Sequence, residues 1–329
     1  MKKMKNTVAV IIPTIGRKYV IETLPATIKN AALSLKRIGI KPSFIIEDTS
    51  ENGLNDKVRR RLKATGERIT LERAQNLGLN DAIDRGFELA ERNNVFAMLS
   101  CCDDFLYSSK QLDRLIKPVL KREAEFVTAG WAFRHRNILS FPKPQYLNEI
   151  WVSRFASYAN PAFEPSKFKA NPFLSNPFSF QTFSGMICLT PQAHNKINSF
   201  IKEIFKNSRK EIKDSLGMWG KEPIRPVVAL ALGLKFKCIA IPNRRFEHEK
   251  PAIQTIQKHV ESRMKQFNDS VKVIREFMVR TGQTRKLEEF NKMSEVVSTR
   301  IKSMAKSSPR RITYHRRKGA ILRRLKHWG

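Results

Sequence analysis

Through the first 130 residues, short β-branched apolar runs alternate with longer segments whose apolar positions recur at helical spacing. Residues 8–13 (Val-Ala-Val-Ile-Ile-Pro) predict a buried strand, and residues 19–38 a helix. Residues 44–46 predict a second strand, ending in Glu47-Asp48, and residues 54–64 a basic helix. A third strand is expected at 69–71, and a helix at 77–90 with Ala82, Ile83, Phe87 and Ala90 on one stripe. A fourth strand, 95–99, runs into Ser100-Cys101-Cys102-Asp103-Asp104; a helix at 111–120 and a strand at 125–129 follow. Strands alternating with helices imply βαβ units, so the expected fold class is α/β, with a mixed, mainly parallel Rossmann-like sheet flanked by helices. Ligands of such sheets lie beyond the carboxyl ends of the strands, where Asp48, Asp103 and Asp104 fall.

The pattern changes at 133–183, where aromatic residues and prolines crowd together and helical spacing is lost. This predicts a long ordered loop, a lid or acceptor-binding surface. A strand at 185–189, a helix at 192–205, an apolar helix at 224–232 stopped by Gly233, and a strand at 236–241 follow. The expected organisation is a domain over 1–250, a charged helical extension over 251–305 and a basic tail over 306–329. In the tail, Ile321, Leu322, Leu325 and Trp328 share a helix face among arginines and lysines, a pattern suited to a membrane interface or a polyanion.

Charge adds a partner class. The 329 residues carry 62 Lys and Arg against 30 Asp and Glu, a formal net charge of +32. A self-repelling chain of this kind fits a polyanionic partner: DNA, an anionic membrane surface or an anionic glycan. Hydrophobic content of 41% with 21 Phe excludes wholesale disorder, and four Cys exclude a disulfide scaffold. The apolar run behind Met1-Lys2-Lys3 is too short for a secretory signal, and no transmembrane segment is apparent. The expected location is cytoplasmic, peripheral at the inner membrane face.

Four segments carry the chemistry. They are Val8-Ala9-Val10-Ile11-Ile12-Pro13-Thr14-Ile15-Gly16-Arg17; Glu47-Asp48-Thr49-Ser50; Asn76-Leu77-Gly78 followed by Ala82, Gly86 and Ala90; and Cys101-Cys102-Asp103-Asp104. A carboxylate at a strand end can recognise a nucleobase imide, and converging acids can hold the divalent cation that neutralises a departing diphosphate. No Gly-rich phosphate loop is present. Together the segments resemble a family-2-type glycosyltransferase with the GT-A fold, over residues 7–130 and more weakly over 180–250. The opening strand is similar to the family's V-S-V-I-I-P-T-Y-N-R start, the Glu47-Asp48 turn to its D-D-G-S, and the Asn76 segment to its N-x-G helix. The Cys101 segment stands at its D-x-D-D, with Cys101 in place of the first acid.

The resemblance implies nucleotide contacts from Pro13, Thr14, Arg17, Asp48, Asn76 and Asp103. It implies Mn²⁺ or Mg²⁺ on Asp104, with His248 of Phe246-Glu247-His248 nearby. Trp219-Gly220-Lys221-Glu222 resembles the family's G-E-D segment, which makes Glu222 the general base; Lys221 stands where an acid is usual and would hold the Glu222 carboxyl in its ionised form. The expected reaction is inverting transfer of a sugar from a nucleoside-diphosphate sugar to a hydroxyl of a cell-envelope or lipid-linked saccharide, or of hydroxymethylated DNA. The alternatives are a non-catalytic nucleic-acid-binding protein on a degenerate transferase scaffold, and a nucleotidyltransferase.

Overall fold

A computed structural model describes residues 6–16, 20–75, 77–101, 103, 108–131, 143–161, 186–241 and 253–306. Seven strands form one sheet: β1 (Thr7–Thr14), β2 (Lys41–Asp48), β3 (Ile69–Arg73), β4 (Ala97–Ser100), β5 (Phe126–Trp131), β6 (Ile187–Leu189) and β7 (Phe236–Ile241), in the order β3-β2-β1-β4-β6-β5-β7. All pairs are parallel except those of β6, which runs antiparallel to both β4 and β5. The expected mixed, mainly parallel α/β sheet is what the chain forms. Strand β1 is buried from Val8 to Thr14, so its unbroken apolar run is that of a central strand covered on both faces.

Helices α1 (Val20–Arg37), α2 (Asp56–Lys63) and α4 (Ser109–Leu120) cover one face, packing on Val8, Val10, Ile12, Phe44 and Ile46. The other face, with Ala9, Ile11, Ile45 and Met98, lies under α3 (Leu79–Arg92), α5 (Lys143–Tyr158), α6 (Pro191–Ile204), α8 (Lys221–Ala231), α9 (Ile253–Arg280) and α10 (Leu287–Lys306). A short helix α7 (Lys210–Ser215) runs into a π-helical turn, Leu216–Gly220, that leads directly into α8.

Helices α1 and α2 carry the chain from β1 outward to β2 and β3, and α3 then crosses the opposite face to deliver β4 on the other side of β1. Connectivity therefore reverses between β1 and β4, which opens a crevice at their carboxyl ends.

The expectation of a loop across 133–183 is corrected in part, because Lys143–Tyr158 is a sixteen-residue helix. Trp151, Phe155 and Tyr158 fall at helical spacing, and all are buried together with Asn148, Ser153 and Ser157. At positions 148 and 150–158 only Ile150 and Arg154 are not buried, so polar and apolar residues are covered alike and the period is blurred in the sequence. Residues 132–142 and 162–185 lie outside the described residues, as does the tail from 307. Helices α9 and α10 place Phe267, Phe277, Phe290 and Ile301 in the same core cluster as the sheet face.

Candidate active site

The crevice between β1 and β4 is built by hydrogen bonds that cross it. Thr14, the last residue of β1, donates its hydroxyl to Asp103 Oδ2 at 2.6 Å. Thr23, in the first turns of α1, donates to the Asp103 carbonyl at 2.6 Å. Asp103 is thus fixed through its side chain by a strand and through its backbone by a helix. Gly16 donates its N–H back to Thr14 Oγ1 at 3.1 Å with φ +69°, a left-handed conformation that favours glycine. A Cβ on Gly16 would stand 2.9 Å from Ser50 Cβ, so the loops after β1 and β2 touch there.

Asp48 ends β2 beside Thr14 in register and is 1% exposed. Its Oδ1 accepts from the Ser50 N–H at 3.0 Å and from the Ser50 hydroxyl, and its Oδ2 from the Leu54 N–H at 2.8 Å and from Arg73 Nη1 at 3.2 Å. Four donors fill the acceptor capacity of a carboxylate. Asp48 therefore shapes the 49–54 loop around itself, and Arg73, which also donates to the Glu51 carbonyl at 2.6 Å, ties that loop to β3.

Strands β5 and β7 run in the direction of β1, so α8, which precedes β7, starts at the same carboxyl edge of the sheet. Glu222, half-buried in the first turn of α8, stands at that edge. A buried polar network fixes its position. Lys221 Nζ donates to Asp81 at 2.7 Å and to Asp84 at 2.8 Å, both on α3. Arg225 donates to Asn80 Oδ1 and to Asp84 Oδ1, each at 2.6 Å. Asn80 in turn donates to the Met218 carbonyl of the π-helical turn at 2.8 Å. The ammonium of Lys221 thus has its two carboxylate partners on α3. Burial alone would raise the Asp84 carboxyl, but Arg225, His194 and Lys221 together hold it well below the usual carboxylate range. His194 on α6 closes the cluster, its Nδ1 2.7 Å from Glu91 and its Nε2 3.7 Å from Asp84.

Bare backbone makes this junction possible. A Cβ on Gly78 would lie 2.5 Å from the Gly217 carbonyl oxygen, one on Gly217 2.0 Å from Asp81 Oδ2, and one on Gly220 2.4 Å from Val273. The start of α3, the π-helical turn and α9 meet with no room for side chains.

Of the residues singled out in the sequence, the structure brings Pro13, Thr14, Asp48, Asp103 and Glu222 to one edge of the sheet. Arg17, Asn76, Asp104 and His248 lie outside the described residues. The Lys221–Asp84–Arg225–Asn80 network was not read from the sequence, since its members lie up to 145 residues apart. Glu47 was seen only as a motif letter, yet it is fully buried and neither carboxylate oxygen has a hydrogen-bond partner among the described residues. Burial pushes it up to about 7, with Arg85 opposing and Glu72 adding to the rise. Cys101 is a buried thiol, and burial raises it further from ionisation.

No protein-family model and no curated protein matches the chain. Similar solved structures include the glucosyl-3-phosphoglycerate synthase of M. tuberculosis (12% identity, TM-score 0.45, covering 83% of this chain and 80% of that one). They also include S. aureus TarS 1–349 in complex with UDP-GlcNAc (11% identity, TM-score 0.39, 83% and 72%). A third, from Desulfovibrio desulfuricans G20, is described as a nucleotide-diphospho-sugar transferase (9% identity, TM-score 0.39, 83% and 99%). What this site can do rests on its own residues.

Proposed function

We propose that the chain is a glycosyltransferase, moving a sugar from a nucleoside-diphosphate sugar to an acceptor hydroxyl. The observation that carries this reading is the junction of Thr14 with Asp103 in the crevice where the sheet's connectivity reverses. A polar, acid-bearing cleft at that point suits a nucleotide. Pro13, Thr14 and Asp103 line it, the Asp48-centred loop shapes its wall, and Arg17 and Asn76 are the further nucleotide contacts that the sequence resemblance implies.

Glu222 is the general base in this reading. Its place in the first turn of α8 puts it at the donor edge, and the Lys221 and Arg225 anchors keep the turn from drifting. Deprotonating the acceptor hydroxyl as it attacks the anomeric carbon gives single displacement with inversion.

A divalent cation, Mn²⁺ or Mg²⁺, belongs to the same reading. The Asp103 carboxylate and Thr14 hydroxyl at this edge are hard oxygen donors, the kind such ions take. Among the described residues no group of three or more His, Cys, Asp or Glu is arranged to hold a metal ion, so Asp104 and His248 would complete the set. When bound, the cation stabilises the charge of the departing diphosphate. The acceptor in this reading is a cell-envelope or lipid-linked saccharide; the net charge of +32 also keeps hydroxymethylated DNA as the second candidate.

The test is a thermal-shift screen of UDP-, GDP- and dTDP-sugars, with CMP-sugars as the monophosphate comparison, with and without Mn²⁺. The full chain is compared with Asp103→Ala and Asp104→Ala. A ligand at a hundredfold excess over Kd stabilises by about 2.7 kcal/mol. A shift with one donor, lost in both variants, supports the reading. No shift with any donor overturns it in favour of a charge-driven binding protein, and release of pyrophosphate from a nucleoside triphosphate overturns it in favour of a nucleotidyltransferase.

A further inference from the structure

Positive charge is unevenly placed on this molecule. The layer of α1, α2 and α4 carries eleven Lys and Arg against three Asp and Glu. Across the sheet, the six helices α3, α5, α6, α8, α9 and α10 together carry eighteen Lys and Arg against thirteen Asp and Glu, a smaller excess spread over twice as many helices. Some of the layer's charge is matched locally, by Lys36 with Glu67 and by Arg37 and Lys117 with Asp113. Lys29, Lys57, Arg60, Lys63, Lys110 and Arg114 are exposed and have no carboxylate partner among the described residues.

The shape of the layer narrows the partner. Helix α1 lies between α2 and α4 and packs against both. Three helices side by side, with axes roughly 8–10 Å apart, make a broad and fairly level face. Near its middle stands Leu33, 59% exposed, on the same side of α1 as Lys29 four residues before it and Lys36 and Arg37 after it. Ile38, 37% exposed, follows at the helix end. Apolar side chains ringed by cations gain little against the phosphates of a duplex, whose charged path would meet them edge on. Against a bilayer the same side chains reach the acyl boundary while the cations meet headgroup phosphates.

We propose that the α1–α2–α4 face docks on an anionic lipid surface, with Lys29, Arg60 and Arg114 meeting headgroups and Leu33 and Ile38 entering the interface. Each of the three helices begins at the carboxyl edge of the sheet, so a chain docked this way holds the Thr14–Asp103 crevice at the rim of the contact. The proposal concerns the surface alone and stands whether or not the donor reading does.

The experiment is flotation of the full chain with phosphatidylcholine vesicles, with and without one-third phosphatidylglycerol, at low and physiological salt. Three proteins are compared with the natural chain: K29E/R60E/R114E; K196E/K210E/K265E, which makes the same change in net charge on exposed positions away from this layer; and Leu33→Ser. Thermal melts establish that each is folded. The expected result is binding only to the phosphatidylglycerol vesicles. The first triple should lower partition at least about tenfold more than the second, and Leu33→Ser should lower it about fivefold. Equal loss from the two triples overturns the proposal, because the charge then acts without this face. Unchanged partition of Leu33→Ser overturns it independently, should the triple variant fail to fold. Absence of vesicle binding, with duplex DNA retained and lost in the first triple, overturns it and gives the face to nucleic acid.

Discussion

The hydroxyl of Thr14 and the carboxylate of Asp103 meet at 2.6 Å across 89 residues of chain. This contact spans the base of the crevice, because it joins the last residue of β1 to the turn that leaves β4. Removing the donor leaves a half-buried carboxylate without that partner, a loss of about 1–3 kcal/mol. Thr14→Val should therefore lower the melting temperature and abolish any donor-induced thermal shift. Thr14→Ser, which keeps the hydroxyl, should retain both. A Val variant that still responds to donor would separate the contact from the nucleotide site.

The Gly78–Gly217 approach makes a second prediction, with a control inside the same molecule. Alanine at Gly78 would place Cβ 2.5 Å from a backbone oxygen that has no rotamer to move into. Overpacking of this kind costs about 1–3 kcal/mol, and at Gly78, the extended N-cap of α3, Ala brings no helix-propensity gain to offset it. Gly39→Ala meets nothing within 4 Å and carries only the strain of its φ of +73°, about 1–2 kcal/mol. Denaturant melts should rank Gly78→Ala as the more damaging, and only Gly78→Ala should weaken catalysis, because it moves α3 off the turn that leads to Glu222.

The first half of the fold was legible because each parallel strand is an apolar run and each helix carries one stripe. Val8–Ile12 and the Ala82, Ile83, Phe87, Ala90 stripe need only nearest neighbours to be read. The Asp48 turn and the Asp103 strand end were legible as motifs, since strand ends are where a sheet of this kind presents ligand groups. The occupancy of Asp48 by Ser50, Leu54 and Arg73 was not, because it depends on how the loop wraps. Helix α5 escaped because Asn148, Ser153 and Ser157 are buried together with Trp151, Phe155 and Tyr158, which blurs the contrast between a polar and an apolar face. The π-helical turn escaped because its carbonyl partner, Asn80, lies 138 residues away.

Glu47 makes a prediction about pH. Its carboxyl is raised from the usual 4.5 to about 7 by burial. The folded value lies above the unfolded one, so between about 4.5 and about 7 the folded chain holds more protons than the unfolded chain. Stability must then fall as pH rises through that window, by an amount on the order of 3 kcal/mol from this group. Glu47→Gln removes the ionisation. It should leave stability near pH 5 little changed and raise it at pH 8, flattening the melting-temperature profile. A profile identical to that of the natural chain would show that Arg85, 3.8 Å away, already compensates the charge.

Glu222 is tested by a split between binding and turnover. If it takes the proton of the acceptor, Glu222→Gln should reduce kcat by about 10²–10⁴, while the thermal shift caused by the donor alone is retained. Loss of the donor shift together with kcat would instead place Glu222 among the groups that hold the nucleotide.

The last prediction concerns what keeps Glu222 in place. Asp84 is buried between Arg225, Lys221 and His194, and its carboxyl is depressed in spite of its burial. A depressed carboxylate contributes stability above its unfolded value, near 3.8, and that contribution is lost as pH falls through the folded value. Asp84→Asn should therefore melt lower than the natural chain at pH 7 and converge with it in acid. Arg225→Met leaves the buried carboxylate short of its strongest partner and should cost about 3–5 kcal/mol. The double variant Asp84→Asn/Arg225→Met removes the uncompensated charge, so it should be less damaged than the sum of the two singles. Additive losses would mean that each residue acts through its own packing. A large favourable coupling would mean that the pair works as one clamp, joining α3 to α8 through groups whose partners lie 141 residues apart. In that case the proposed donor crevice on β1 and β4 and the proposed base on α8 are held in register by a buried ion pair.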